Sequence, residues 1–221
     1  MKRVSVFIAI FILIFPILGF CKNKEKERIE RCIWLVSEIM KEDAPRYLLS
    51  HSKGVVIIPG IKKAAFIFGA KRGKGVIVLR KNGKWLPPFF ITLSGGSFGL
   101  QAGAKSSDIL LIVMTERAVD TFRRNKMRLG VDIGITAGPV GKETGLSSED
   151  LYKVDIYCYG KERGIFAGIN LSGSIITHDR EANRRFYGKE ISFEDILKGR
   201  LKNIPAEAKK LLRTIEKYSK I

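Results

Sequence analysis

The stretch Gly54-VVIIPGIKKAAFIFGAKRGKGVIVLRKNGKWLPPFFITLSGGSFGLQAGAKSSDILLIV-Met114 decides the fold class. VVII (55–58), AAFIF (64–68), GVIVL (75–79), FFITL (89–93) and DILLIVM (108–114) are short apolar runs bounded by glycine, proline or charge. Runs of this length, rich in β-branched and aromatic residues, predict strands. Lys81-Asn82-Gly83-Lys84 carries the Asn-Gly pair of a tight hairpin turn, in which both central residues need positive φ. Pro87-Pro88 marks a break or a sheet edge, because proline has no N–H for the ladder. Closely spaced strands joined by such turns predict antiparallel pairing.

On the C-terminal side, 115–126 reads as a short helix and 129–137, 151–159 and 164–172 as further strands. In 151–159, Tyr152, Val154, Ile156 and Cys158 alternate with Lys153, Asp155, Tyr157 and Tyr159, which predicts one buried face. Helices are predicted at 179–188 and 192–199, and from Pro205 onward, where Ala208, Leu211, Leu212 and Ile215 share a face. On the N-terminal side, Ile29, Cys32, Ile33, Val36, Ile39 and Met40 form the apolar stripe of a helix over 24–41. Trp34 lies well off that stripe, free for a neighbouring loop or an interface. Glycines recur at four-residue steps (Gly99 and Gly103; Gly130, Gly134 and Gly138; Gly164 and Gly168), which keeps them on one strand face and favours bending or close approach. The expected architecture is α+β: a curved, predominantly antiparallel, glycine-rich β-sheet with flanking N- and C-terminal amphipathic helices.

Residues 1–21 read as a signal peptide, with Lys2 and Arg3 before the apolar run Val4 to Phe20. Residues 22–221 then form a single domain. An exported chain, periplasmic or peripherally membrane-associated, is expected. A retained anchor and a lipoprotein signal acylated at Cys21 are the alternatives, the second against the bulky Phe20 that precedes the cysteine. The 221-residue chain has 40 Lys and Arg against 22 Asp and Glu, a net charge of +18 that becomes +16 once Lys2 and Arg3 are removed. Such a charge selects polyanionic partners. Export turns it from nucleic acid, which is not an expected partner, toward anionic lipid. Cys32 and Cys158 are a pair in an oxidising compartment or two buried thiols.

Motifs for catalysis are absent or broken. Gly69-Ala70-Lys71-Arg72-Gly73-Lys74-Gly75 and Gly138-Pro139-Val140-Gly141-Lys142-Glu143 both miss the spacing and the hydroxyl of a phosphate-binding loop. His178-Asp179 is the best acid–base pair, but neighbours in sequence rarely present their side chains to each other. No clustered metal ligands occur, so no cofactor, no metal site and no enzymatic activity are expected.

The strongest signal is charge segregation. No acidic residue lies between Asp43 and Asp108, whereas Arg46, Lys53, Lys62, Lys63, Lys71, Arg72, Lys74, Arg80, Lys81, Lys84 and Lys105 all do, beside Phe66, Phe68, Trp85, Phe89, Phe90 and Phe98. Cations near aromatics suit a headgroup layer over acyl chains. Five cations at about 1 kcal/mol each give about 5 kcal/mol, a dissociation constant of about 0.1–1 mM. Useful affinity needs inserted apolar groups or a headgroup pocket in addition.

These residues also resemble a family. Block 54–114, followed in order by LGVDIGITAGPVG (129–141), GIFAGINLSGS (164–174), ANRRFYG (182–188) and DILKG (195–199), is similar to the SYLF domain, which includes yeast actin-binding and lipid-binding proteins. The chain looks like an exported bacterial branch. The resemblance implies phosphatidylinositol or other phospholipid binding without catalysis, through basic and amphipathic segments. The matching lipid-binding positions are Lys62, Lys63, Lys71, Arg72 and Lys74, with Trp34 at the interface. Actin binding, known for some eukaryotic members, is not expected across a secretory signal. The first reading is thus a non-enzymatic exported domain on an anionic phospholipid membrane; the alternative is an envelope structural protein with a protein or polysaccharide partner.

Overall fold

A computed structural model describes residues 23–65, 68–98, 103–139, 150–162, 165–166 and 171–220. The predicted leader lies outside them. The chain begins with helices α1 (Lys24–Ile39) and α2 (Asp43–His51). Strands β1 (Gly54–Ala65), β2 (Phe68–Lys81), β3 (Lys84–Trp85), β4 (Phe89–Phe98) and β5 (Gly103–Val113) follow. Next come α3 (Glu116–Phe122), β6 (Lys126–Arg128), β7 (Ile135–Ala137), β8 (Ile156–Glu162), β9 (Ile165–Phe166) and β10 (Ile175–His178). Helices α4 (Arg180–Tyr187), α5 (Phe193–Leu197) and α6 (Ala206–Ser219) complete the order. The strands form one curled sheet in the order β6-β10-β4-β2-β1-β5-β8-β7, with β3 on β2 and β9 on β8. Every pairing is antiparallel except β7 with β8. The α+β expectation therefore holds.

Both faces of the sheet are covered, which explains why its strands read as continuous apolar runs. Val55, Ile57, Val76, Val78, Phe90, Leu110 and Ile112 pack under α1, α2, α4 and α6. Val56, Ile58, Ile77, Leu79, Ile91, Leu111 and Val113 pack on the other side with Phe122 of α3 and Phe193 of α5. The alternation expected in 151–159 fails for the same reason. Strand β8 starts only at Ile156, and Tyr157 and Tyr159 are as buried as Ile156 and Cys158 because helices close their face too.

Other boundaries moved for local reasons. AAFIF straddles the end of β1 and the start of β2, with Phe66 and Ile67 outside the described residues. The strand expected over 129–137 is interrupted at Gly130, whose φ of 76° opens a turn closed by Gly130 N–H donating to Ile133 O at 2.9 Å. Of the strand expected at 164–172 the structure shows only β9, with 164 and 167–170 outside the described residues, and β10 lies beyond the expected range. Helix α2 escapes a periodicity reading because it is nine residues long with Pro45 in its first turn, where a missing N–H costs nothing. The Asn-Gly turn is as predicted, with Asn82 at φ 50° and Gly83 at φ 75° between β2 and β3. Among the described residues, no helix is long and apolar enough to cross a membrane.

Helix α1 crosses the sheet and limits how far the covered face extends. Asn23 caps it by accepting from the N–H groups of Glu25 and Lys26, and Ile29, Cys32, Leu35, Val36 and Ile39 are fully buried. Charged contacts strap its flanks. Arg185 of α4 donates to Glu25 at 2.8 Å, Lys26 pairs with Glu207 of α6 at 2.6 Å, and Lys161 of β8 pairs with Glu38 at 2.9 Å. Arg31 donates to the carbonyl of Pro59 at 3.3 Å. Below that level β1 carries a bulge between Ile58 and Ile61, with Gly60 at φ 67°, and the strands continue past the helix.

Candidate functional site

Past the bulge, register gathers the cations that the sequence spreads along 62–105. Lys62 of β1 stands opposite Arg72 of β2, and Lys63 stands opposite both Lys71 of β2 and Lys105 of β5. Like charges directly opposite each other in a sheet destabilise it, each pair by a few tenths to about 1 kcal/mol. Side-chain alternation places the two rows on opposite faces. Lys62 and Arg72 follow the face of Val76 and Val78, under α1; both are exposed, and neither joins an ion pair among the described residues. Register adds a hydroxyl at each end of their row, giving Ser94, Arg72, Lys62 and Ser106 across β4, β2, β1 and β5.

The remaining predicted positions fare differently. Lys71 is only 5% exposed, and its stem packs over Gly95, where a Cβ would lie 2.8 Å from Lys71 Cε and 3.2 Å from Ser174 Oγ. It is a buried lysine on the face away from α1. Lys74 is half exposed but its ammonium pairs with Asp179 at 3.1 Å. Lys63 is placed by register alone. Trp34 is 52% exposed on the outer side of α1, with Lys161 Nζ 5.9 Å from its ring centre. Lys161 sits on β8, two strands from β1, so Trp34 stands apart from the Lys62–Arg72 row. The apolar face of α1 is occupied by the sheet and by α6.

His178 and Asp179 serve structure rather than each other. His178 Nε2–H donates to Phe122 O at 2.9 Å, its ring lies between Phe89 and Phe193, and burial first of all lowers its pKa. Asp179 caps α4 by accepting from Ala182 N–H at 3.1 Å and meets Arg28 of α1 at 3.5 Å as well as Lys74. Burial works to raise its pKa; the Ala182 N–H, Lys74 and Arg28 outweigh burial and hold it below the ordinary value. Cys32 and Cys158 are free buried thiols, both pushed up to about 12 by burial. Among the described residues, no three His, Cys, Asp or Glu side chains group as metal ligands. A cleft of about 530 Å³ beside His178 mixes Arg123, Arg180 and Arg184 with Glu181, Glu190, Glu194 and Asp195, so it presents no concentrated charge of either sign.

Sequence reading missed Ser94 and Ser106. Nothing in the local sequence singles them out, and only register puts them beside cations remote in the chain, Ser94 opposite Arg72 and Ser106 opposite Lys62.

Comparison with known proteins agrees with the blocks in the sequence. The family Ysc84, described as Las17-binding protein actin regulator, matches residues 94–218. Protein YSC84 of Saccharomyces cerevisiae is 38% identical over 176 residues, which are 78% of this chain and 37% of the yeast protein. LAS seventeen-binding protein 3 of the same yeast is 37% identical, over 73% of this chain and 36% of its own length. The human SH3 domain-containing YSC84-like protein 1 is 32% identical over 79% of this chain and 51% of the relative. The chain spans about a third to a half of the length of these relatives. Their names overturn the expectation that actin-related partners are excluded, because they point to actin-regulatory partners at this level of identity. That expectation rested on the apolar segment 1–21, which lies outside the described residues. With the match covering more than half of its residues, the chain belongs to the Ysc84 family, whose SYLF domain the block 54–114 resembles.

Proposed function

We propose that this chain is a non-catalytic binding domain that docks on anionic phospholipid headgroups through the end of its sheet beyond α1. The observation that carries the reading is the opposition of Lys62 and Arg72, two exposed cations held face to face with no carboxylate pairing either among the described residues. An arrangement that costs stability in isolation becomes favourable when an anion lies over both charges. Lys71 and Lys74 are left out of the contact set, the first buried and the second engaged by Asp179. With fewer cations than the sequence suggested, the electrostatic share is smaller than the about 5 kcal/mol of five cations.

The test is cosedimentation with vesicles of neutral lipid, with and without phosphatidylglycerol, at low and high salt. Binding only to the anionic vesicles, reversed by salt and reduced about tenfold or more by K62Q/R72Q but not by K209Q/K210Q on α6, is the expected result. Equal effects of the two double variants mean that only general charge acts.

A second reading is favoured by the relatives' names: docking on a protein partner of the actin-regulatory class. A shape-matched protein interface survives a few hundred millimolar salt, whereas a headgroup contact does not.

A further inference from the structure

We infer that the α1 face of the sheet end holds a discrete site for a phosphate group, built by Arg31, Lys62, Arg72 and Ser106. The inference deepens the headgroup reading and rests on it. Four elements contribute: α1 supplies Arg31, and β1, β2 and β5 supply the row. Neighbouring strands lie about 4.8 Å apart, so one tetrahedral anion resting over Lys62 has the Ser106 hydroxyl on one side and the long Arg72 side chain on the other.

Gly60 makes the closure with α1 possible. A Cβ built on it would lie 3.4 Å from Arg31 Nη2 and 3.8 Å from Ser106 Oγ, so the guanidinium and the hydroxyl converge over the bulge next to Lys62. Arg31 is oriented there by its bond to Pro59 O, which uses one of five N–H donors and leaves the rest of the fork for a ligand. The carboxylate on this face of β5, Asp108, accepts the Gly60 N–H at 2.7 Å and so fixes the bulge that sets this approach. The next row outward is Gly96, Ala70, Ala64 and Ala104 in register, residues too small to cap the cations sterically.

The donor set selects the ligand chemistry. Two cations, the forked Arg31 guanidinium and the Ser106 hydroxyl match the three free oxygens of a phosphomonoester better than the two of a phosphodiester. The group can come from a lipid headgroup or from free phosphate, since the chemistry is shared.

The experiment compares cosedimentation with vesicles containing phosphatidic acid and vesicles containing phosphatidylglycerol at matched surface charge, for the wild type, S106A and Arg31→Gln. A parallel arm adds millimolar inorganic phosphate. The wild type is expected to prefer phosphatidic acid about tenfold, the worth of one charge-assisted hydrogen bond. Both variants should lose that preference at an unchanged urea midpoint. Competition by inorganic phosphate would support a site for the group itself, and a preference that phosphate leaves intact but S106A removes would support a site for the lipid-borne group. Equal binding to both vesicles, or a preference untouched by S106A and R31Q, overturns the site and leaves the headgroup reading standing. Absence of binding to either vesicle overturns the headgroup reading itself.

Discussion

Replacing Asp179 by alanine tests how α1 is held against the sheet. The Asp179 side chain is 9% exposed and its partner Arg28 8%, so the pair is buried between α1, β2 and the start of α4. Arg28 Nη1 has no hydrogen-bond partner, and the guanidinium otherwise rests over the Phe90 ring at 5.2 Å. Removing the carboxylate leaves that cation buried without a counter-charge, a loss of about 3–5 kcal/mol in comparable cases. The N-cap of α4 is worth about 1 kcal/mol more, whereas the half-exposed Lys74 contact adds at most about 1 kcal/mol. These contributions share one carboxylate and do not add fully, so D179A should cost about 3–5 kcal/mol overall. D179N keeps a competent cap and should be less harmful by about 1 kcal/mol. Removing both charges in Arg28→Met/D179N should recover much of the loss, because an apolar replacement needs no counter-ion. Urea unfolding followed by circular dichroism reads all three as midpoint shifts at constant slope. A D179A loss below about 1 kcal/mol, or a double variant no more stable than D179N alone, would refute the assignment of a buried ion pair that holds α1 in place.

Other outcomes follow from the same coordinates. Because the folded-state pKa of Asp179 is depressed, its stabilisation should be complete above the ordinary carboxylate range and decline as pH falls through the folded value. Urea midpoints measured from pH 6 to pH 2.5 should therefore fall less for D179N than for the wild type. Gly75→Ala places a Cβ 2.2 Å from the carbonyl oxygen of Ile57, a backbone atom that cannot step aside, so a loss of several kcal/mol or failure to accumulate is expected by expression and thermal melting. Cys32 and Cys158, with thiols pushed up to about 12, should stay unreactive toward a disulfide reagent at pH 8 in the native protein and react promptly in urea.

Much of the sheet was readable because its strands are buried on both faces. GVIVL and DILLIVM became the centres of β2 and β5, and Asn82-Gly83 became the tight turn. The same double burial hid the distinction between strand faces in 151–159, since alternation appears only where one face meets water. Helix α1 was placed to within two residues by its apolar period, yet Leu35, off the expected stripe, is fully buried while Ile33 is only partly so. The candidate site was half legible: Lys62 and Arg72 stood out by charge, but their neighbours Ser94, Ser106 and Arg31 carry no local signal.

Sequence alone determined what depends on nearby residues: the strand-forming runs, the turn chemistry, the amphipathic helix, the excess of positive charge and the ordered blocks that identify the family. Tertiary structure decided which cations are available. Lys62, Lys71, Arg72 and Lys74 look equivalent along the chain, yet pleat and register send Lys71 into the opposite face, deliver Lys74 to Asp179 some 105 positions away, and leave Lys62 and Arg72 opposite each other in the open. The physical reason is that burial and charge pairing depend on contacts between residues remote in sequence, which strand order and a single bulge at Gly60 select.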